Sequence, residues 1–158
     1  MEDELLEKNT FNYAIWLLAR RDYSAFSLRD KLQKKSDDDA IVERVILRVQ
    51  ELGYQSDERY VTSFIAYAAS QKKGPIWIRS KLREKGLNTS LVDKILNETS
   101  IDWQLLADEL LVQKFKTPCV DYKEKSRRFR FLTSRGYTSS IVMQSIESQK
   151  QLFSEINV

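Results

Sequence analysis

Apolar residues recur at three- and four-residue intervals along almost the whole chain, the spacing that gives an α-helix one apolar stripe, and polar punctuation divides the pattern into nine segments. The first stripe is Phe11, Ala14, Ile15 and Leu18, ended by the charged run "RRDYS". Ser24 is placed to cap a short second helix carrying Leu28 and Leu32. The run Asp37-Asp38-Asp39 puts negative charge at the start of a third, with Ile41, Val42, Val45, Ile46, Val49 and Leu52 as its stripe and Gly53 as its stop. Ser56 caps the fourth. Gly74 and Pro75 open a fifth, where the proline uses a position whose N–H has no partner in any helix, and Gly86 ends it. A sixth begins near Thr89, and Ser100 opens a seventh that Pro118 closes. Asp121 with Glu124 makes a capping box for an eighth, which Gly136 stops, and the ninth begins near Thr138. With four glycines and two prolines in 158 residues, the chain lacks the turns of a β fold.

The nine segments repeat. Sliding the chain by 50 residues aligns Leu32, Leu82 and Leu132, then Ser36, Gly86 and Gly136, then Val42, Val92 and Val142, and finally Ile46, Leu96 and Ile146, without a gap. The expected fold is all-α: three tandem three-helix repeats of about 50 residues forming an elongated, curved array. The expected divisions are an acidic N-terminal segment at 1–10, repeats at 11–55, 56–99 and 100–149, and a C-terminal tail at 150–158. Units this small bury little apolar surface alone, so neighbours stack.

Composition removes several chemistries. There is no histidine, hence no common general base, and the single cysteine, Cys119, has neither a disulfide partner nor metal-ligand spacing around it. No catalytic residue, metal or cofactor is expected. The adjacent carboxylates Asp57-Glu58 and Asp108-Glu109 point in different directions on a helix, and the first pair, following the Ser56 cap, is explained by the helix dipole. The N-terminus lacks a signal-peptide pattern and no apolar run approaches a membrane span. The expectation is a cytoplasmic monomer with no membrane partner.

The net charge of +3 is small, but its distribution is uneven. Lys73, Arg79, Lys81, Arg83 and Lys85 face one acid, Glu84; fifty residues on, Lys123, Lys125, Arg127, Arg128, Arg130 and Arg135 face Glu124; fifty before, Arg29, Lys31, Lys34 and Lys35 face Asp30. Equivalent helices of a repeat array face similar directions, so these clusters predict one basic track for an anionic partner surface. On a single short helix such charges are more commonly a solvated face. Trp77 stands apart. On a helical wheel Ile78 lies about 40° from Leu82 and Trp77 about 140° away, so either a second helix covers Trp77 or it is an exposed aromatic among cations, able to anchor a partner or stack on a base. Trp16 and Trp103 lie in apolar helices and are expected to pack between helices.

The succession "LLARRDYSAFSLRDKL", "ELGYQSDERYVTSFI", "KKGPIWIRSKLREKGL", "IDW" and "RRFRFLTSRGY" resembles the RecX family of regulators of the bacterial RecA recombinase, from about Phe11 to Ile146. The middle unit carries most of it: Gly53, Tyr54, Asp57, Arg59, Gly74, Ile78, Leu82 and Gly86 stand where that family has equivalents, and "IDW" looks like its proteobacterial branch. The chain departs from the family at Ser27, where an acid is usual, at Trp77, where a basic or polar residue is, and at "SDDD", where a glycine-containing turn is common. The resemblance implies a non-enzymatic protein of three tandem three-helix repeats that binds the RecA–DNA filament, in its groove or at its growing end. Such a protein lowers ATPase, strand-exchange and coprotease activity, limiting recombination and the SOS response. The residues expected to meet the partner or DNA are Trp77, Arg79, Lys81, Arg83, Lys85, Arg127, Arg128 and Arg130. The alternative is a helical-repeat protein that binds single- or double-stranded DNA directly.

Overall fold

The structure, a computed structural model, describes residues 1–156. Among these residues nine helices follow one another without a strand: α1 (Glu2–Arg20), α2 (Ala25–Gln33), α3 (Asp39–Glu51), α4 (Asp57–Ser70), α5 (Pro75–Glu84), α6 (Thr89–Glu98), α7 (Trp103–Lys114), α8 (Tyr122–Ser134) and α9 (Ser139–Ile156). None of them is long and apolar enough to cross a membrane.

The predicted punctuation is largely what terminates them. Ser24 Oγ accepts from Ser27 N at 3.1 Å, Asp38 Oδ1 from Ala40 N at 3.0 Å, and Asp121 Oδ1 from Glu124 N at 2.8 Å, each filling an amide that the first turn leaves unpaired. Gly53, Gly86 and Gly136 take φ of 79°, 74° and 95°, the left-handed turn that ends a helix at a residue without Cβ. Three boundaries differ from the sequence expectation. Asp102 rather than Ser100 caps α7, accepting from Leu105 N at 3.0 Å. Helix α1 takes in the acidic segment 1–10, because Glu2, Asp3 and Glu4 suit a helix N-terminus and Thr10, Ala14 and Leu17 supply the buried stripe. Helix α9 runs through most of the expected tail, and residues 157–158 lie outside the described residues.

The chain divides into two compact units, Met1–Ser63 with Leu82–Ile95, and Phe64–Lys81 with Leu96–Val158. The first holds a core of Ala14, Leu17, Leu28, Leu32, Ile41, Val42, Val45 and Val49 from α1, α2 and α3. Its turns are tied by polar groups: Asp57 Oδ1 accepts from Ala25 N at 2.8 Å and Gln55 Nε2 at 3.0 Å, and Arg59 donates to the carbonyls of Gly53 and Tyr54. The second unit centres on Ala107, Leu111, Leu132, Tyr137, Val142 and Ile146 of α7, α8, α9 and the α8–α9 turn. Asp108 there accepts from Ser145 Oγ at 2.6 Å, a helix-to-helix bond.

The 50-residue register recurs as contact. In the first unit Ser24 Oγ donates to Lys85 O at 2.9 Å; in the second Gly74 N donates to Arg135 O at 2.8 Å, the same pair of positions fifty residues on. Both following turns need their glycine for space as well as for φ. A Cβ on Gly86 would lie 2.2 Å from the Phe26 ring, and one on Gly136 2.4 Å from Trp77 Cβ. Leu32, Leu82 and Leu132 are all fully buried.

Candidate partner-binding surface

The eight sequence-predicted contact residues meet different fates. Trp77 and Lys81 are brought together in the second unit. The indole is half-buried, stacked on Phe64 with ring centroids 6.1 Å apart and planes 10° from parallel. Lys73 and Lys81 stand over it, with ammonium groups 5.1 and 5.7 Å from the ring centroid. Each expectation for Trp77 is thus half met: one face is covered by an aromatic from α4, and cations flank the indole. Lys81 sits four residues after Trp77 on α5, on the same helical face, whereas Lys73 reaches the ring from the turn before that helix. Neither Lys73, which the expected set omits and which lies in the turn before α5, nor Phe64, on another helix, carries such a spacing signal.

In the first unit Arg83 is exposed at the end of α5, and Lys85 is half-buried with its carbonyl bound by Ser24. Arg79 is half-buried. On α8, Arg127 is exposed, 3.7 Å from the Glu124 carboxylate and over the Phe115 ring, and Arg130 is exposed.

Arg128 is corrected outright. Its side chain is 0% exposed. Nη1 donates to Gln149 Oε1 at 2.7 Å, Nη2 to Thr117 O at 2.8 Å and to Glu124 Oε2 at 3.4 Å, and the guanidinium lies over Phe115. Gln149, also buried, donates to Phe115 O at 2.7 Å. A charge so enclosed is tolerable only because its protons are largely used, and it presents nothing to a partner. Trp16 is corrected in the opposite sense: it is 54% exposed, stacked on Tyr13 with Arg20 over its ring, because the buried stripe of α1 runs through Ala14 and Leu17 instead.

Tyr137 ties down the turn that precedes Lys73. Its hydroxyl donates to Lys72 O at 2.7 Å, holding the only positive-φ residue other than glycine among the described residues. Burial, with the Glu109 carboxylate adding to it, pushes this phenol well above its ordinary range, so it stays a donor.

Two domain families match the chain: RecX, first three-helix domain, over residues 11–48, and RecX, second three-helix domain, over residues 56–96. A regulatory protein RecX from Haemophilus ducreyi is 42% identical over 126 residues, covering 80% of this chain and 83% of that one. The chain belongs to the RecX family. A second RecX, from Legionella pneumophila, is 33% identical over 144 residues, 90% of this chain and 96% of its own. Among solved structures, RecX from Lactobacillus salivarius superposes with a TM-score of 0.80 over 93% of this chain and 97% of its own, at 18% identity. A further crystal structure of regulatory protein RecX gives 0.79 over 93% and 74%. These two likenesses show the RecX fold, and the curated relatives give the chain a regulatory family.

Proposed function

We propose that this protein is a negative modulator of the RecA recombinase that binds the RecA–DNA filament and lowers its ATPase, strand-exchange and coprotease activity without catalysing a reaction of its own. The observation that carries this reading is the identity to proteins named regulatory protein RecX across four-fifths or more of the chain. The exposed cations Arg83, Arg127 and Arg130, with Lys81 beside Trp77, are the groups we assign to electrostatic contact with the filament. Arg79 and Lys85 are kept in that set as half-buried members, and Arg128 is removed from it. Successive repeats bridging successive RecA subunits would add modest contacts into avidity.

The test is RecA ATPase on single-stranded DNA with this protein titrated in. The expected result is loss of turnover at or below equimolar protein, relieved by Arg127→Glu with Arg130→Glu at unchanged helicity. Undiminished turnover at equimolar protein overturns the reading. One observation favours direct DNA binding as a second reading: an indole flanked by two ammonium groups is a platform on which a base stacks. Affinity for single strands without RecA, falling steeply with salt and lost in Trp77→Ala, would decide for it.

A further inference from the structure

The 50-residue register allows each surface position to be compared in three chemical contexts, and in one pair of columns an ion pair gives way to apolar side chains. Positions 29, 79 and 129 hold Arg, Arg and Phe; positions 43, 93 and 143 hold Glu, Asp and Met. In the first repeat the pair is an ion pair, Arg29 to Glu43, on the outer side of α2 and α3. The second repeat keeps a base and an acid at these positions. In the third, both members have become apolar together, and they do not sink into the core. Met143 is 43% exposed and Phe129 half-buried. Both line an open cleft of about 470 Å³ between α8 and α9, completed by Tyr122, Lys125, Ser126 and Arg130.

Water-facing Phe and Met in place of a solvated ion pair lower solubility and leave stability little changed, so packing alone does not account for the exchange. What the exchange provides is a hollow that fits an apolar side chain. Its lining contributes two cations, Lys125 and Arg130, and no carboxylate. The adjoining hollow adds Val120, 80% exposed, with Lys150 and the carboxylates of Asp121 and Glu147. One register position at the cleft makes contacts between repeats elsewhere in the chain. Position 26 meets the glycine turn of the next repeat through Phe26 and Gly86, and position 76 through Ile76 N and Gly136 O. Ser126 is the third member of that column, and it lines the cleft.

We propose that the α8–α9 cleft is a docking site for an acidic peptide segment of a partner protein, taken through one apolar side chain seated on Phe129 and Met143 and flanked by carboxylates paired to Lys125 and Arg130. The proposal deepens the partner-binding reading above and rests on it for the existence of a protein partner. Met is adaptable and Tyr122 adds rigid, amphipathic area, a combination suited to binding a side chain in a shallow cleft.

The test uses the full chain labelled with ¹⁵N and three synthetic ten-residue peptides: glutamates around a central phenylalanine, the same with glycine for phenylalanine, and the same with lysine for glutamate. Saturable amide shifts confined to residues 122–130 and their α9 neighbours are expected with the first peptide alone. The double substitution Phe129→Arg with Met143→Glu copies the ion pair of the first repeat. It should leave the circular dichroism spectrum intact and weaken the peptide at least about tenfold. Tyr122→Ala, at a side chain too exposed to unfold the protein, should weaken it by a smaller factor. Absence of cleft shifts at millimolar peptide overturns the proposal, as does equal binding of the glycine or lysine peptide. So does a dimer in sedimentation equilibrium that the double variant dissociates, because a second copy would then be the occupant. Failure of the RecA assay bears on the function proposed above and leaves the peptide titration unchanged.

Discussion

Helices α2–α3 and α8–α9, which occupy matching positions of the 50-residue register, are filled in opposite ways. At positions 28 and 49 the first repeat buries Leu28 and Val49 in an apolar core, while outside it Arg29 pairs with Glu43. At the matching positions 128 and 149 the third repeat buries Arg128 hydrogen-bonded to Gln149, while outside it Phe129 and Met143 meet solvent. What belongs inside in one is polar in the other, and what belongs outside is apolar. The backbone register of a repeat therefore specifies where a side chain stands, and not whether it is charged.

The largest expected effect comes from breaking the inner half of that inversion. Arg128→Ala leaves Gln149 and the Thr117 carbonyl without their donor and should cost about 3–5 kcal/mol in urea unfolding. The double change Arg128→Leu with Gln149→Val, which imports the first repeat's pair, should fall within about 1–2 kcal/mol of wild type. A double variant as damaged as the alanine variant would mean that the polar pair cannot be exchanged for an apolar one. Next in size is the turn. Gly136→Ser, importing the residue of position 36, faces both a φ of 95° and Trp77 Cβ and should cost about 2–4 kcal/mol. By contrast, Gly53→Ala has a positive φ but open space and should cost about 1 kcal/mol.

Smaller still is the cap of the first repeat. Ser24→Ala removes both the bond from Ser27 N and the bond to Lys85 O, and should cost about 1–2 kcal/mol in thermal unfolding. The last prediction is read against pH. Tyr137 has its folded value raised above the ordinary tyrosine range, so the folded chain holds this proton more tightly than the unfolded one. Its contribution is complete below about pH 10 and is lost as pH rises beyond that. Comparing wild type with Tyr137→Phe between pH 9 and 11, the variant should show the shallower alkaline decline.

Much of the fold was legible because helix ends and repeats are written in local chemistry: Ser24, Asp38, Gly53, Gly86 and Gly136 stand where they were expected and act as expected. The candidate surface was less so. Arg128 sits in a run of four basic residues within six positions and reads as solvated; only its place in the column with Leu28 and Ile78, both fully buried, marks it as internal. Trp16 reads as internal because it is apolar, yet α1 buries a stripe one step away. Trp77 was undecidable on its own helix, since the side chain that covers it, Phe64, comes from another.

The division of the chain into two compact units does not follow the 50-residue period. The first unit takes Leu82–Ile95 from beyond the middle of the chain, and with it the Lys85 carbonyl and Gly86 that meet Ser24 and Phe26. A fragment cut after residue 55 has one whole repeat by sequence and an incomplete compact unit by structure. The period of the sequence and the packing of the chain have different seams in this protein, and a truncation designed on the first would open the second.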